Sequence, residues 1–182
     1  MEIVLSTSCN PIHEGHLAIL DDAAKYFTDD YVGRPSTYID ICKKNADKSE
    51  ISKEDLDTRV SNLRRHLVQS NLRHSIITTK SPLFAEKRAE LFFPQSEVIF
   101  VVGIDTYLRL IDSKYYGGED SFRIIFKLLD RLKTKFMVYP RNGVKYEPTC
   151  ISWIDNLIIY RDSFKEINIS STELRNKQCQ TK

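Results

Sequence analysis

The sequence predicts a doubly wound α/β domain, a three-layer α/β/α arrangement in which a parallel sheet lies between two layers of helices. Short apolar runs alternate with longer segments whose apolar residues recur at helical spacing. Residues 98–102 are apolar without interruption, as is typical of a parallel strand buried on both faces. Ligands of such folds bind beyond the carboxyl ends of the strands, so the turns after the strands are the expected location of functional residues.

Six segments have the character of strands and five have that of helices. The predicted strands are residues 3–5, 37–42, 76–79, 98–102, 136–139 and 157–160. The predicted helices are about residues 16–28, the stripe Leu56, Val60, Leu63 and Leu67, about residues 82–92, the stripe Phe122, Ile125, Phe126, Leu129 and Leu132, and a short helix near Ser171. Pro82 suits the first position of its helix, and residues 141–152, which contain an Asn-Gly pair and a Pro, are expected to form a loop.

Length and composition fit one domain over residues 1–182. An apolar content of 41% excludes wholesale disorder, and a net charge of +2 is too small to indicate a general nucleic-acid binder. The four cysteines are scattered and form no CxxC pair, which favours reduced thiols over a zinc site. No apolar stretch has the length of a membrane span, and residues 3–5 are too few for a signal peptide, so we expect a cytoplasmic protein.

The turn between the first strand and the first helix carries two histidines, His13 and His16. Small polar residues there, including Ser8 and Asn10, leave backbone N–H groups to face an anion, and the helix amino terminus favours negative charge. Gly15 allows a ligand close to the backbone. The alternative is an ordinary turn with two surface histidines, but the position directly after the first strand favours a phosphate site.

A second polar motif lies near the carboxyl terminus, where Ser170, Ser171, Thr172 and Arg175 stand together. Ser170 and Glu173 have the spacing of a capping box, which any helix can carry. Hydroxyl and backbone N–H groups at a helix start also bind phosphate oxygens, and an arginine one turn later supplies a planar fork of donors. This motif is weak when it is considered by itself.

The segment Asn-Pro-Ile-His-Glu-Gly-His that ends at His16 resembles the H-x-G-H signature of the nucleotidylyltransferase superfamily, close to its form in nicotinamide-nucleotide adenylyltransferases. Residues 169–175 resemble the I-S-S-T-x-x-R motif of the same superfamily. The resemblance implies a Rossmann-like domain that binds ATP, with His13 and His16 on its phosphates. It also implies that residues 170–172 and Arg175 hold the triphosphate.

Further site residues are implied by the same resemblance. Gly103 and Asp105 match a G-x-D that lines the nucleotide and acceptor pocket, although Asp105 as a helix N-cap would be an ordinary arrangement. Lys48 stands where relatives place an acceptor-phosphate lysine, and Arg59 is a second candidate, although an isolated lysine in a polar loop is usually only a solvated charge.

Two more residues of the same region are acceptor-binding candidates. Tyr107 and Arg109 stand near the position at which bacterial relatives place a tryptophan against the nicotinamide ring. Residues 84–118 also resemble a branch of cytidylyltransferase-like proteins.

The expected activity is transfer from ATP to nicotinamide mononucleotide, which forms NAD and releases pyrophosphate. Mg²⁺ would arrive on the triphosphate, since the sequence offers no carboxylate cluster suited to a protein-built metal site. We expect ATP and a phosphate-bearing small molecule as partners, with neither nucleic acid nor membrane, and the sequence leaves a homo-oligomer open.

Three alternatives accompany this expectation. The first is a cytidylyltransferase acting on a phosphorylated alcohol. The second is a catalytically impaired nucleotide-binding module, because Thr7 and Cys9 stand where the family has Gly and Phe. The third is a fragment of a class I tRNA synthetase, which the size of the chain and the missing K-M-S-K-S motif disfavour.

Overall fold

A computed structural model describes residues 1–30, 34–44, 50–141 and 152–165 of the chain. The strands are β1 (Glu2–Thr7), β2 (Ser36–Cys42), β3 (Ser75–Thr79), β4 (Val98–Gly103), β5 (Thr134–Tyr139) and β6 (Ile158–Tyr160). The helices are α1 (Glu14–Asp30), α2 (Lys53–Gln69), α3 (Phe84–Glu90), α4 (Ile104–Leu110) and α5 (Glu119–Arg131). Within the described residues, 3₁₀ helices lie at Ser113–Tyr116 and Ser152–Leu157.

The six strands form one parallel sheet in the order β3-β2-β1-β4-β5-β6. β1, β2 and β3 follow one another from the centre of the sheet to one edge. The chain then crosses back, so that β4 pairs with β1 and β5 and β6 extend the sheet to the other edge. The strand order therefore reverses between β1 and β4, where doubly wound sheets form their ligand crevice. The predicted fold class is confirmed.

Helices cover both faces of the sheet because the central strands are apolar on both faces. Ile3 and Leu5 of β1 point into a core formed with α1 and α2, whereas Val4 belongs to the opposite core, formed with α3, α4 and α5. The second core is rich in aromatic rings, and Phe84, Phe100 and Phe136 contact one another with ring centroids 5.0 to 5.9 Å apart. Edge-to-face and offset pairs of this kind stabilise a core beyond the area they bury.

Local chemistry sets several helix ends. Ser52 caps α2, since its hydroxyl oxygen accepts a hydrogen bond from the backbone N–H of Asp55 at 3.1 Å. The third helix is shorter than the predicted residues 82–92: it starts at Phe84, two residues after Pro82, and ends at Glu90. Pro94 keeps the helix from reaching Phe93, because the residue before a proline avoids the helical conformation.

The short helix α4 was not predicted. The ordinary alternative for Asp105, a helix N-cap, is wrong: the N-cap is Gly103, and Asp105 lies in the first turn of α4. Seven residues are too few for a helical period to stand out. The predicted loop residues 142–151 and the helix near Ser171 lie outside the described residues, and the single domain over residues 1–182 stays a prediction.

None of the helices in the described ranges combines the length and the hydropathy that a membrane span requires.

Candidate active site

Within the described residues, His13, His16 and Asp105, which were predicted to act together, lie at the carboxyl edge of the sheet, around the point where strand order reverses. The turn after β1 leads through His13 into α1, and Asp105 follows Gly103, the last residue of β4. Arg141 follows β5 at the same edge. Parallel pairing brings these turns together from segments that are far apart in the sequence.

The two histidine rings are in contact. His13 lies directly before α1, and its carbonyl accepts a hydrogen bond from the backbone N–H of His16 at 3.0 Å. The ring centroids are 3.8 Å apart at an interplanar angle of 35°. Both Nδ1 atoms are buried, and neither has a hydrogen-bond partner within residues 1–30, 34–44, 50–141 and 152–165. The pair therefore holds two buried ring nitrogens without a partner, close to the amino terminus of a 17-residue helix.

Thr7 fixes the orientation of the second histidine. Its Oγ1 lies 3.2 Å from Nε2 of His16 and accepts a hydrogen bond from the backbone N–H of Cys9 at 3.3 Å. When the Thr7 hydroxyl donates to Nε2, the ring proton of His16 resides on Nδ1. The residue that replaces the usual family glycine thus contacts one of the two signature histidines.

Burial and positive neighbours keep both imidazoles neutral. Burial lowers the pKa of His13, and the charge of Arg141 lowers it further. Burial lowers the pKa of His16 to about 3, with further contributions from His13 and Arg141. Each ring therefore has one N–H donor at neutral pH, and the nearby guanidinium makes the site favourable for an anion.

The rest of this turn is held by the core and by α2. Cys9 is 4% exposed and has a positive φ of 46°, and burial together with the charge of Asp40 raises the pKa of its thiol to about 12. The Asn10–Pro11 peptide is cis. Arg59, predicted to bind the acceptor phosphate, donates from Nη1 to the carbonyl of Ser8 at 3.1 Å. This contact places Arg59 against the backbone of the turn.

The end of β4 and the turn after it provide open space beside Gly103 and an ion pair at Asp105. Gly103 has an ordinary φ of −77°, and a Cβ there would meet no atom within 4 Å, so the backbone itself does not require glycine. Nη1 of Arg141 donates to Oδ2 of Asp105 at 3.1 Å, with both side chains about half exposed. Sequence reasoning missed Arg141, although a cation directly after a strand at this edge was a usable signal.

The two predicted acceptor-binding residues on α4 differ in their exposure to solvent. Tyr107 is 1% exposed and packs in the second core, so its ring has no face open to an acceptor in this conformation. Arg109 is exposed, and its Nη2 lies 3.4 Å from Oγ1 of Thr106 on the same helix. Gly15 is the second residue of α1. Lys48, Ser170, Ser171, Thr172 and Arg175 lie outside the described residues.

A buried charged network beneath the site was also missed. Asp40 of β2 accepts hydrogen bonds from Lys87 Nζ at 3.0 Å, from Ser6 Oγ at 2.7 Å and from Thr79 Oγ1 at 3.0 Å. Ser6 directly precedes Thr7, so the network supports the end of β1 from which the histidine turn departs. A single Asp inside an apolar strand run was its only sequence signal.

The described residues contain no group of three or more His, Cys, Asp or Glu side chains arranged to hold a metal ion.

Comparison with known proteins gives the family. No curated protein matches this sequence. The model of the cytidylyltransferase-like family matches residues 4–177, which include both polar motifs, all of β2 to β6 and most of β1. Because that match spans nearly the whole chain and the sheet has the expected doubly wound order, the chain belongs to the cytidylyltransferase-like family, whose general activity is nucleotidyl transfer.

Proposed function

We propose that this protein transfers the adenylyl group of ATP to nicotinamide mononucleotide, forming NAD and releasing pyrophosphate. The observation that carries the proposal is the contact pair His13 and His16, whose ring Nδ1 atoms are unused beside the start of α1. Two neutral donors and a helix amino terminus are well suited to bind phosphate oxygens.

The reaction requires little covalent chemistry from the protein. A phosphate oxygen of the acceptor attacks the α-phosphorus of ATP, a new P–O bond forms there, and the bond to the bridging oxygen of the β-phosphate breaks. The acceptor phosphate is already ionised at neutral pH, so no general base is needed. The contribution of the chain is to align the two phosphates and to stabilise charge on the transferring group.

Each cationic or donor residue has a role in this scheme. His13 and His16 donate to the oxygens of the transferring phosphate, while Ser170, Ser171, Thr172 and Arg175 hold the β- and γ-phosphates. MgATP is the form of the nucleotide substrate, so the metal enters with the triphosphate. Loss of one preorganised donor typically costs about 10²–10³ in turnover.

The acceptor phosphate needs a cation of its own, and Lys48 and Arg59 are the candidates. Arg59 lies against the carbonyl of Ser8, at the turn that carries the histidines, which supports its assignment to the neighbouring phosphate. Asp105 is the candidate acceptor for hydroxyl groups of a ribose.

A second candidate function is cytidylyl transfer from CTP to a phosphorylated alcohol. The matching family model favours it, because that family is described as cytidylyltransferase-like. The phosphate chemistry is the same for both candidates, and they differ in the base and the acceptor.

Pyrophosphate release tests both candidates. The chain is incubated with Mg²⁺ and either ATP plus nicotinamide mononucleotide or CTP plus glycerol phosphate. We expect release in the first mixture and its loss in His16→Ala, with His66→Ala, a histidine in the last turn of α2, as the matched control. Release confined to the CTP mixture would establish the second candidate, and no release above His16→Ala in either mixture would overturn the proposal.

The contact between Thr7 and His16 also separates an enzyme from an impaired binding module. If Thr7 only obstructs the site, Thr7→Gly, which restores the residue that the family has at this position, should raise turnover. We expect the opposite, because the Thr7 hydroxyl orients the His16 ring.

A further inference from the structure

Arg141 and Asp105 occupy equivalent positions after two neighbouring strands. Gly103 of β4 pairs with Tyr139 of β5, and Asp105 and Arg141 each lie two residues beyond that pair. Their side chains meet at the carboxyl edge of the sheet, where Nη1 of Arg141 lies 3.1 Å from Oδ2 of Asp105. The exposed fractions are 42% for Arg141 and 52% for Asp105, so solvent and ligands reach both groups.

The charge of Arg141 also reaches the histidine pair. It is one of the causes that lower the pKa of both His13 and His16. The charge of Arg141 therefore acts on both imidazoles, and Asp105 is the carboxylate that offsets this charge.

We propose that Arg141 is a further ligand of the nucleotide phosphates and that Asp105 holds it in the unliganded protein as a competing carboxylate. This inference rests on the proposed function and extends it. When the nucleotide binds, the guanidinium exchanges the carboxylate for phosphate oxygens, and Asp105 becomes free to accept hydrogen bonds from ribose hydroxyls.

The exchange is energetically feasible because the ion pair is exposed. Exposed ion pairs contribute about 0–1 kcal/mol, so little stability is lost when this pair opens. A planar guanidinium binds phosphate through two parallel hydrogen bonds, which are stronger than bonds between neutral groups.

Removal of the two partners therefore has opposite effects on a bare polyphosphate. Arg141→Met deletes a ligand and weakens the binding of inorganic tripolyphosphate. Asp105→Asn deletes the competing charge and strengthens the binding of tripolyphosphate. For ATP the gain in Asp105→Asn is smaller, because the same substitution weakens a contact to the ribose.

A matched ion pair on the same two strands provides the control. Lys135 of β5 and Glu97, which directly precedes β4, form a pair with a 2.9 Å separation at the amino edge of the sheet. Lys135→Met and Glu97→Gln change the net charge as the test variants do, but at the opposite edge of the sheet.

The experiment is calorimetric titration of the full chain and each variant with inorganic tripolyphosphate and with ATP. For tripolyphosphate we expect a dissociation constant about tenfold higher in Arg141→Met, which corresponds to a loss of about 1.4 kcal/mol in binding free energy. We expect a lower dissociation constant in Asp105→Asn. Arg141→Lys keeps the charge without the planar fork and should lie between wild type and Arg141→Met. Both control variants should bind as wild type does, and thermal unfolding establishes that each variant is folded.

The outcomes that overturn the inference are distinct from those that overturn the proposed function. If His16→Ala no longer binds ATP while Arg141→Met and Asp105→Asn bind tripolyphosphate as wild type does, only the role of Arg141 is wrong. If Asp105→Asn weakens the binding of tripolyphosphate as much as Arg141→Met does, the ion pair acts as a structural unit. The proposed exchange of carboxylate for phosphate is then wrong. If wild type binds neither ligand, the inference and the proposed function fall together.

Discussion

Nζ of Lys87 lies 3.0 Å from Oδ2 of Asp40, and neither side chain is more than 3% exposed. The ammonium group also donates to Oγ1 of Thr79 at 2.8 Å, and Ser6 donates to the same carboxylate oxygen of Asp40. Each charge in this buried pair therefore has further hydrogen-bond partners, which is the condition under which a desolvated ion pair is tolerated. The pair joins α3 to β2 directly below the end of β1.

Removal of one charge of this pair should lower the free energy of unfolding far more than removal of both. Lys87→Met leaves the Asp40 carboxylate buried without its cation, so we expect a loss of about 3–5 kcal/mol in the free energy of unfolding. The double variant Asp40→Asn/Lys87→Met should recover part of that loss. Urea denaturation measures both.

The exposed pair of Lys114 and Asp112 serves as the comparison. Lys114→Met should change the free energy of unfolding by less than about 1 kcal/mol. Equal losses in Lys87→Met and Lys114→Met would show that the buried pair has no special role.

Thr7→Val tests the contact that orients His16. Valine has nearly the shape of threonine and suits the end of a strand, but it cannot bond to Nε2 of His16 or accept from the N–H of Cys9. We expect a loss of about 1–2 kcal/mol in unfolding free energy and weaker ATP binding. Thr28→Val removes a hydroxyl that donates to the carbonyl of Ala24 on α1, and should leave ATP binding unchanged. Unaltered ATP binding in Thr7→Val would contradict the assigned orientation.

His16 should make the fold sensitive to mild acid. Its pKa is lowered from 6.5 to about 3 in the folded protein, so between these values the unfolded chain binds a proton that the folded protein does not. The free energy of unfolding therefore decreases as pH falls below 6.5, by up to about 1.4 kcal/mol per pH unit from this residue. The pKa values of His13 and His74 are also lowered, and they act in the same direction.

Urea denaturation at pH 7, 6 and 5 measures this dependence. His16→Gln removes the titrating group, so its free energy of unfolding should vary less with pH than that of wild type. Parallel curves for the two proteins would mean that His16 titrates near its ordinary pKa in the folded protein.

The periodicity of apolar residues is sufficient to predict most of the sheet. The uninterrupted run at residues 98–102 became β4, paired on both sides, and the first strand was extended only by flanking residues. Such runs are informative because burial on both faces leaves no polar alternation. The helix α4 has only seven residues, and its start was missed because one apolar face of that length carries almost no periodic signal.

The site could be predicted only where its residues are close in sequence. His13 and His16 share one turn, so their contact follows from local spacing. Asp40 and Lys87 lie 47 positions apart, and Asp105 and Arg141 lie 36 apart. Those pairs are created by strand order and register, which a single sequence does not specify.

The central claim is that the histidine turn and the motif at residues 170–175 bind one triphosphate between them. A crystal structure with Mg²⁺ and a non-hydrolysable ATP analogue tests it most directly. We predict phosphate oxygens within hydrogen-bond distance, about 2.7–3.2 Å, of ring nitrogens of His13 or His16 and of the Arg175 guanidinium in the same molecule. A triphosphate bound away from the histidines, or one that Arg175 does not reach, would contradict it.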